Sequence, residues 1–338
     1  MEALYQKKNS ENLSSQCLLC PHKCLIKNGQ YGFCGGRKNI NGTIHLLSLP
    51  TTGHLDPIEK KPLYHFYPNS KIASFGSEGC NLKCKFCQNW TISQFKAPDK
   101  DNLEEITEKT IQNIIKIATN KQDGNIGCAY TYNEPSISFE YILKASEAIH
   151  NAGMKNVLVT NGYLNAVPQK RLLKYIDALN LDVKSFDDSF YKNYCSASLK
   201  PVLRYAERAK EYCLVEITTL VIPTLNDSKI EIKKTAKWIA KHLGDDTPYH
   251  LSAYYPNYKL DIDATKPEKL IELRKYAMEY LKYVYTGNIY DEEGKNTYCP
   301  SCSKPVIVRG YGYSPITEIN LKGNKCKFCG ETINLKTW

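Results

Sequence analysis

Cysteine carries most of the potential chemistry in this sequence, and it is not scattered. The 338 residues include 14 cysteines. Cys17, Cys20, Cys24 and Cys34 lie near the start, Cys80, Cys84 and Cys87 follow, and Cys299, Cys302, Cys326 and Cys329 lie near the end; Cys128, Cys195 and Cys213 stand alone. Thiols bunched a few residues apart converge on a common centre, unlike the spread pairs of a disulfide framework. The opening residues, MEALYQKKNSENL, lack the apolar core of a secretory signal. A reducing, cytoplasmic setting is therefore expected, in which clustered thiols hold metal. Two tetrads and one triad predict up to three metal centres.

The triad lies in GSEGCNLKCKFCQNW (76–90) as Cys80-x3-Cys84-x2-Cys87. Three thiolates on one short loop can ligate three irons of a 4Fe–4S cube and leave the fourth iron open. Catalysis needs an open position, whereas a closed site is structural or carries electrons. Zinc with a fourth ligand from elsewhere is the competing reading; the place after a strand and Phe86 beside the last cysteine speak against it. Cys299-x2-Cys302 and Cys326-x2-Cys329 are two knuckles separated by 23 residues. They read as a zinc ribbon, a closed four-thiolate site that does not fold without its ion. Its Tyr311 and Tyr313 either pack the ribbon or meet RNA. Cys17-x2-Cys20-x3-Cys24-x9-Cys34 has two readings: zinc, which we expect, or an auxiliary iron–sulfur cluster.

The elements that must position these thiols alternate between two periods. Helical apolar spacing over 103–120, 136–153, 166–177, 199–212, 228–243 and 266–283 alternates with strand-like runs at 71–77, 125–132, 156–162, 178–184, 213–222, 248–254 and 283–289. That rhythm is an α/β fold with a mostly parallel sheet. The stretch 73–290 has six to seven strands and is short for a closed eight-unit barrel, so a partial, open (β/α)6 TIM-like barrel is expected. The flanks, 1–72 and 291–338, read as small four-cysteine modules. Polar residues gather at strand C-termini: Glu78, Asn133, Glu134, Thr160, Asn161, Asp182, Lys184, Asn226, Asp227 and His250. Sites form at those ends.

Composition excludes whole classes. Apolar residues make up 42% and charged residues 24%, which argues against disorder. No run of 18 apolar residues exists, so no membrane span is expected. The net charge of +10 sits at the ends: residues 1–72 carry nine basic and four acidic side chains, residues 295–338 seven and two. Such ends favour an acidic partner, either an electron donor of the ferredoxin or flavodoxin type or RNA.

Several separate motifs together carry a family resemblance: the triad, HLDPIEKKPLYHFY (54–67), AYTYNEP (129–135), LDVKSFDD (181–188), PYHLSAYYPNYKL (248–260) and CLLCPHKCLIKNGQYGFCGGR (17–37). Over residues 15–330 the chain resembles the radical S-adenosylmethionine (SAM) enzymes of the AmmeMemoRadiSam system, relatives of the pyruvate formate-lyase activating enzymes. The resemblance implies an oxygen-sensitive oxidoreductase in which a 4Fe–4S cluster on Cys80, Cys84 and Cys87 cleaves SAM to a 5′-deoxyadenosyl radical. That radical takes hydrogen from a target, such as a glycyl residue of a partner protein. Memo-like and AMMECR-like proteins are the partners implied. Radical modification of RNA or a small molecule is one alternative; a non-catalytic iron–sulfur or zinc adaptor is another.

The resemblance also implies site roles. Tyr132, Asn133 and Glu134 stand where the activating enzymes have Gly-Gly-Glu, with Glu134 meeting the SAM ammonium. Asp182 and Lys184 match an Asp-x-Lys on the ribose and carboxylate side of SAM, His250 matches a SAM-contacting histidine, and Phe86 lies against adenine. Thr160 and Asn161 line the same pocket. Without it, Asp182 and Lys184 read as an ion pair. Lys60 and Lys61 read as a solvated charge run, with a substrate-facing role as the alternative. Cys128, Cys195 and Cys213 read as core residues, and His22, His45, His54, His65, His150 and His242 as structural.

Overall fold

Runs rich in Val, Ile and Leu that are buried on both faces build a parallel sheet, because helical crossovers cover each side. The computed structural model describes the chain except residues 10, 49, 51–52, 95–105, 311–314 and 338. The first residues of the helix expected over 103–120, together with Tyr311 and Tyr313, lie outside the described residues. The central sheet contains β1 (His54–Pro57), β2 (Lys71–Phe75), β3 (Asn125–Tyr130), β4 (Lys155–Thr160), β5 (Ala178–Asp182), β6 (Leu214–Val221), β7 (Tyr249–Ala253) and β8 (Val284–Gly287). Neighbours in sequence are neighbours in space from β1 to β8, so the sheet is open. β2 to β8 run parallel, joined by α1 (Glu108–Ala118), α2 (Phe139–Asn151), α3 (Ala166–Leu173), α4 (Leu199–Lys210), α5 (Lys229–His242) and α6 (Pro267–Ala277).

From β2 to β8 the sheet has the seven strands expected at most, and one further strand precedes them. The additional strand is β1, antiparallel to β2 with Asp56 opposite Ile72. It was hidden in the sequence because HLDP has little β character and ends in a proline, which only an edge strand tolerates. Local capping agrees with the helices: the Thr107 side chain accepts from Thr110 N–H at 3.2 Å, and Ser228 from Glu231 N–H at 3.1 Å.

The flanks share the architecture. Ala3, Leu19, Ile26, Ile44 and Leu46 belong to the same apolar core as the sheet and its helices. There Arg37 is buried against Glu140 of α2, with Nη2 2.5 Å from Oε2 and Nη1 3.2 Å from Oε1, while its Nε donates to the Ile137 carbonyl at 2.9 Å. At the other end Tyr283 and Tyr285 pack with Val306, Ile307, Leu321 and Ile333 in a second cluster.

A buried polar chain ties the lead-in to both. His65 Nδ1 donates to the Asn334 carbonyl at 2.6 Å, because a carbonyl can only accept. Its Nε2 then accepts from the Tyr285 hydroxyl at 2.7 Å. Burial pushes the His65 pKa down to about 4, with the Glu216 charge opposing. Unfolded, the ring titrates near 6.5. Below that pH the unfolded chain binds a proton that the folded chain refuses. The stability from a neutral His65 is thus complete above about pH 6.5 and is lost as pH falls toward 4, by up to about 3 kcal/mol. Urea unfolding at pH 7, 5 and 4 should record that loss, and His65→Gln should flatten it.

Candidate active site

The loop carrying Cys80, Cys84 and Cys87 follows β2 and takes its backbone partners from elsewhere. Cys80 N–H donates to the Cys34 carbonyl at 3.0 Å, Lys83 N–H to Cys195 at 2.9 Å and Lys85 N–H to Tyr194 at 2.9 Å; the Lys85 carbonyl accepts from Lys259 N–H at 2.8 Å. Asn133 donates to the Gly79 carbonyl at 2.7 Å, and Asn81 donates to that of Tyr163 at 2.7 Å. Segments from five regions thus hold one loop still, which a metal site requires of its ligands.

The three cysteines line a cleft of about 550 Å³ at the C-terminal ends of the strands. Burial raises the pKa of Cys80 and Cys87, while a hydrogen bond with Cys195 comes before burial in raising that of Cys84. Bound metal must displace those protons. Among the described residues, the triad forms no group whose ligand atoms all lie within 4.8 Å of one another. A single zinc ion at about 2.3 Å from each thiolate would hold sulfurs about 3.8 Å apart. The wider triad fits a cube with one open iron and disfavours the zinc reading.

Facing the triad is Glu134, buried at the end of β3. Its Oε1 accepts from Ser136 N–H at 2.9 Å and the Thr160 hydroxyl at 2.8 Å, and its Oε2 from Asn161 N–H at 2.7 Å. Burial raises its pKa and these bonds oppose the rise. Three donors leave lone-pair capacity on Oε2 for a cation in the cleft. Asn161 donates to Asn81 Oδ1 at 2.9 Å and lies 3.7 Å from Cys80 Sγ. Across the cleft, Lys184 Nζ is 2.9 Å from Asp182 Oδ2. Burial opposes the Lys184 charge, but Asp182 and the Cys84 sulfur overcome it and hold the pKa well above the usual lysine value.

Of the expected residues, Phe86, Tyr132, Asn133, Glu134, Thr160, Asn161, Asp182 and Lys184 line the cleft with the triad. His250 does not. It shares a face of β7 with Ser252, which does line the cleft, but lies two residues deeper, about 6.6 Å along the strand. There its Nε2 donates to the buried Glu216 at 2.6 Å. Burial would raise the Glu216 pKa; the His250 bond and the His65 N–H hold it below the ordinary carboxylate value. Glu216 also accepts from Tyr64 N–H at 3.0 Å and His65 N–H at 2.7 Å. The histidine thus braces the carboxylate that anchors the lead-in.

The lead-in brings in residues read from sequence as solvated. Lys60 and Lys61 line the cleft, and Lys61 is 1% exposed. Their ammonium groups lie 2.9 and 2.7 Å from the two Asp56 oxygens. Only the pairing of β1 with β2 brings Asp56 to the site, so sequence spacing carried no signal for it. Ser252 and Asn288 also enter the cleft. Cys195 is buried against Cys84, not merely in the core.

The tetrads differ in spacing. At the C-terminus, Cys299 and Cys329 sulfurs are 3.5 Å apart and those of Cys302 and Cys326 3.8 Å. All four lie within 4.8 Å of one another, which suits one tetrahedral ion. Cys17, Cys20, Cys24 and Cys34 line a single cavity without forming such a group.

Residues 75–239, from β2 into α5, match the family described as the Radical SAM superfamily. An uncharacterized protein of Methanocaldococcus jannaschii is 40% identical over 99% of both chains. The pyruvate formate-lyase-activating enzyme of Clostridium pasteurianum is 26% identical over 61% of this chain and 89% of that enzyme. The crystal structure of Streptococcus suis SuiB bound to S-adenosylmethionine is similar with a TM-score of 0.49 and 16% identity, covering 67% of this chain and 50% of that one.

Tyr132 adopts φ +72°, a left-handed conformation that costs a non-glycine residue about 1–3 kcal/mol. The side chain offsets that cost. Its hydroxyl donates to Asp56 Oδ2 at 2.5 Å, and Lys61 Nζ lies 4.6 Å from its ring centroid. Tyr132→Phe should therefore lower stability by about 1.5–3 kcal/mol in urea unfolding, since one hydrogen bond to a charged group is lost, while metal content stays unchanged.

Proposed function

Because the chain belongs to the radical SAM superfamily, we propose that this cleft binds a 4Fe–4S cluster on Cys80, Cys84 and Cys87, and SAM beside it. We further propose that the enzyme removes a hydrogen atom from a protein partner in the manner of the activating enzymes. The observation that carries this reading is the convergence of a widely spaced three-thiol loop and a buried carboxylate in one cleft. The bound groups supply one-electron cleavage of a sulfonium and a carbon radical; the chain supplies position and exclusion of water. Glu134 Oε2 accepts the SAM ammonium, Asp182 and Lys184 meet the ribose and carboxylate side, and Phe86 gives adenine an apolar face. Asn161 and Thr160 keep Glu134 fixed. Lys60, exposed at the rim and paired with Asp56, is placed to meet an anionic substrate group.

A protein target is supported by aromatic residues around the cleft. Trp90, next to cleft-lining Asn89, is 42% exposed and stacks on Tyr258 at 5.3 Å. Exposed Tyr255 donates to the carbonyl of cleft-lining Asn288 at 2.8 Å. Aromatic groups of this kind are enriched at protein interfaces. Lys83, Lys85 and Lys259 surround the half-exposed Phe33 in a neighbouring groove, which supports an acidic electron donor of the ferredoxin or flavodoxin type. We assign the chain to the AmmeMemoRadiSam system, with Memo-like or AMMECR-like partners in the cytoplasm. We also assign one zinc to the C-terminal tetrad and treat 73–290 as the catalytic unit between modules 1–72 and 291–338.

Two outcomes test the site. Replacing Cys80, Cys84 and Cys87 together with Ala should abolish SAM cleavage in anaerobically reconstituted protein; cleavage by that variant would overturn the reading. Glu134→Gln and Lys184→Ala should each weaken SAM binding by about 1–3 kcal/mol, roughly 5- to 150-fold, in equilibrium titration, with the iron–sulfur absorption unchanged.

A further inference from the structure

The N-terminal tetrad is closed in sequence like the ribbon, but its geometry is like that of the catalytic loop. Cys17, Cys20, Cys24 and Cys34 converge on one cavity, walled also by Ile26, Phe33 and Arg37. Among the described residues, only the four ribbon sulfurs come as a group within 4.8 Å of one another. The same chain thus offers its own calibration. The ribbon has the roughly 3.8 Å spacing of thiolates on one tetrahedral ion. The N-terminal four form no such group but stand around one cavity, as thiolates on the larger iron–sulfur cube do. The Arg37 guanidinium, paired with Glu140, is buried beside Cys17 and Cys34 and favours their thiolate forms.

The cavity adjoins the cleft through a minimal wall. Cys80, a ligand of the catalytic triad, donates its N–H to the carbonyl of Cys34 at 3.0 Å. That approach needs Gly79, which has φ +93° and where a Cβ would meet the Cys34 oxygen at 2.4 Å. A second path runs through Asn81, which lines the N-terminal cavity and accepts from Asn161, itself 3.7 Å from Cys80 Sγ.

We infer that Cys17, Cys20, Cys24 and Cys34 hold a second 4Fe–4S cluster, not zinc, and that it passes single electrons to the metal centre of the cleft. A reduced donor of the ferredoxin or flavodoxin class loses one electron. The N-terminal cluster gains it, going from the 2+ to the 1+ state, and returns to 2+ as the cleft cluster takes the electron; no bond to the protein breaks and no proton moves. The relay rests on the proposed radical function, whereas the existence of the cluster does not.

Metal counts on full-length protein, purified and reconstituted anaerobically, separate these points. The Cys80→Ala, Cys84→Ala, Cys87→Ala variant should keep about four irons and four sulfides, one zinc, visible iron–sulfur absorption and a paramagnetic signal after dithionite reduction. An iron-free variant, with either one or two zincs, would overturn the cluster. The half-buried Cys20 and Cys24 give the reverse variant: C20S/C24S should lose that iron and keep the cleft's. Rapid-mixing reduction of the cleft cluster by reduced flavodoxin should then be at least tenfold slower than in the unaltered protein, and an equal rate would overturn the relay. If the reverse variant does not fold, the count on the triad variant still decides the cluster. Two clusters in a protein that never cleaves SAM would refute the proposed function and leave the second cluster standing.

Discussion

A loop that must present three sulfurs to one side cannot also form a ladder with itself, and this constraint organises the protein. Backbone groups buried without partners are costly. The loop around Cys80, Cys84 and Cys87 meets that demand by borrowing partners from Cys34, Asn133, Tyr163, the Tyr194–Cys195 turn and Lys259. The N-terminal residues, the ends of β3 and β4, and the segments after β5 and β7 are therefore parts of one mould. Removing any of them would leave an unsatisfied amide or carbonyl beside a metal ligand.

Two buried carboxylates extend the same logic. Glu134 at the end of β3 and Glu216 inside β6 are both fully enclosed, and each is held by backbone N–H donors plus a side-chain donor. Glu134 keeps acceptor capacity toward the cleft. Glu216 shares a face of β6 with cleft-lining Thr218 but lies deeper, and its donors are the amides of Tyr64 and His65 and the His250 ring. Through Glu216 the sheet grips the lead-in, and the lead-in delivers Asp56, Lys60 and Lys61 to the rim. His250 belongs to that grip. A buried carboxylate without such donors would cost several kcal/mol or take up a proton, so both sites depend on the register of the strands that face them.

Much of this was legible in the residues. The seven parallel strands announce themselves by Val, Ile and Leu, and polar residues at strand ends marked the cleft, because strand C-termini open to solvent together. β1 was illegible since an edge strand ending in proline carries no apolar alternation. The helical turn Asp188–Phe190 and the π-helical Tyr191–Cys195 were missed for the same reason: their task is to cap the cysteine loop, which leaves no periodicity. His250 was misplaced because residues two apart on a strand share a face but not a depth. Lys61 looked solvated because a lysine pair in sequence gives no hint that Asp56 lies across a strand pairing. The N-terminal tetrad stayed open between zinc and a cluster because sequence spacing does not report the distance between sulfurs.

The central claim is that the cleft produces a radical that takes hydrogen from a protein. Hydrogen tracing addresses it directly. Reconstituted enzyme, SAM and a low-potential reductant would be incubated without oxygen with a fully deuterated Memo-like or AMMECR-like partner, and the 5′-deoxyadenosine formed would be analysed by mass spectrometry. The account predicts deuterium in its methyl group, arising only when the partner is deuterated. If 5′-deoxyadenosine forms but stays unlabelled with the deuterated partners, or if SAM is consumed without forming it, the account is contradicted.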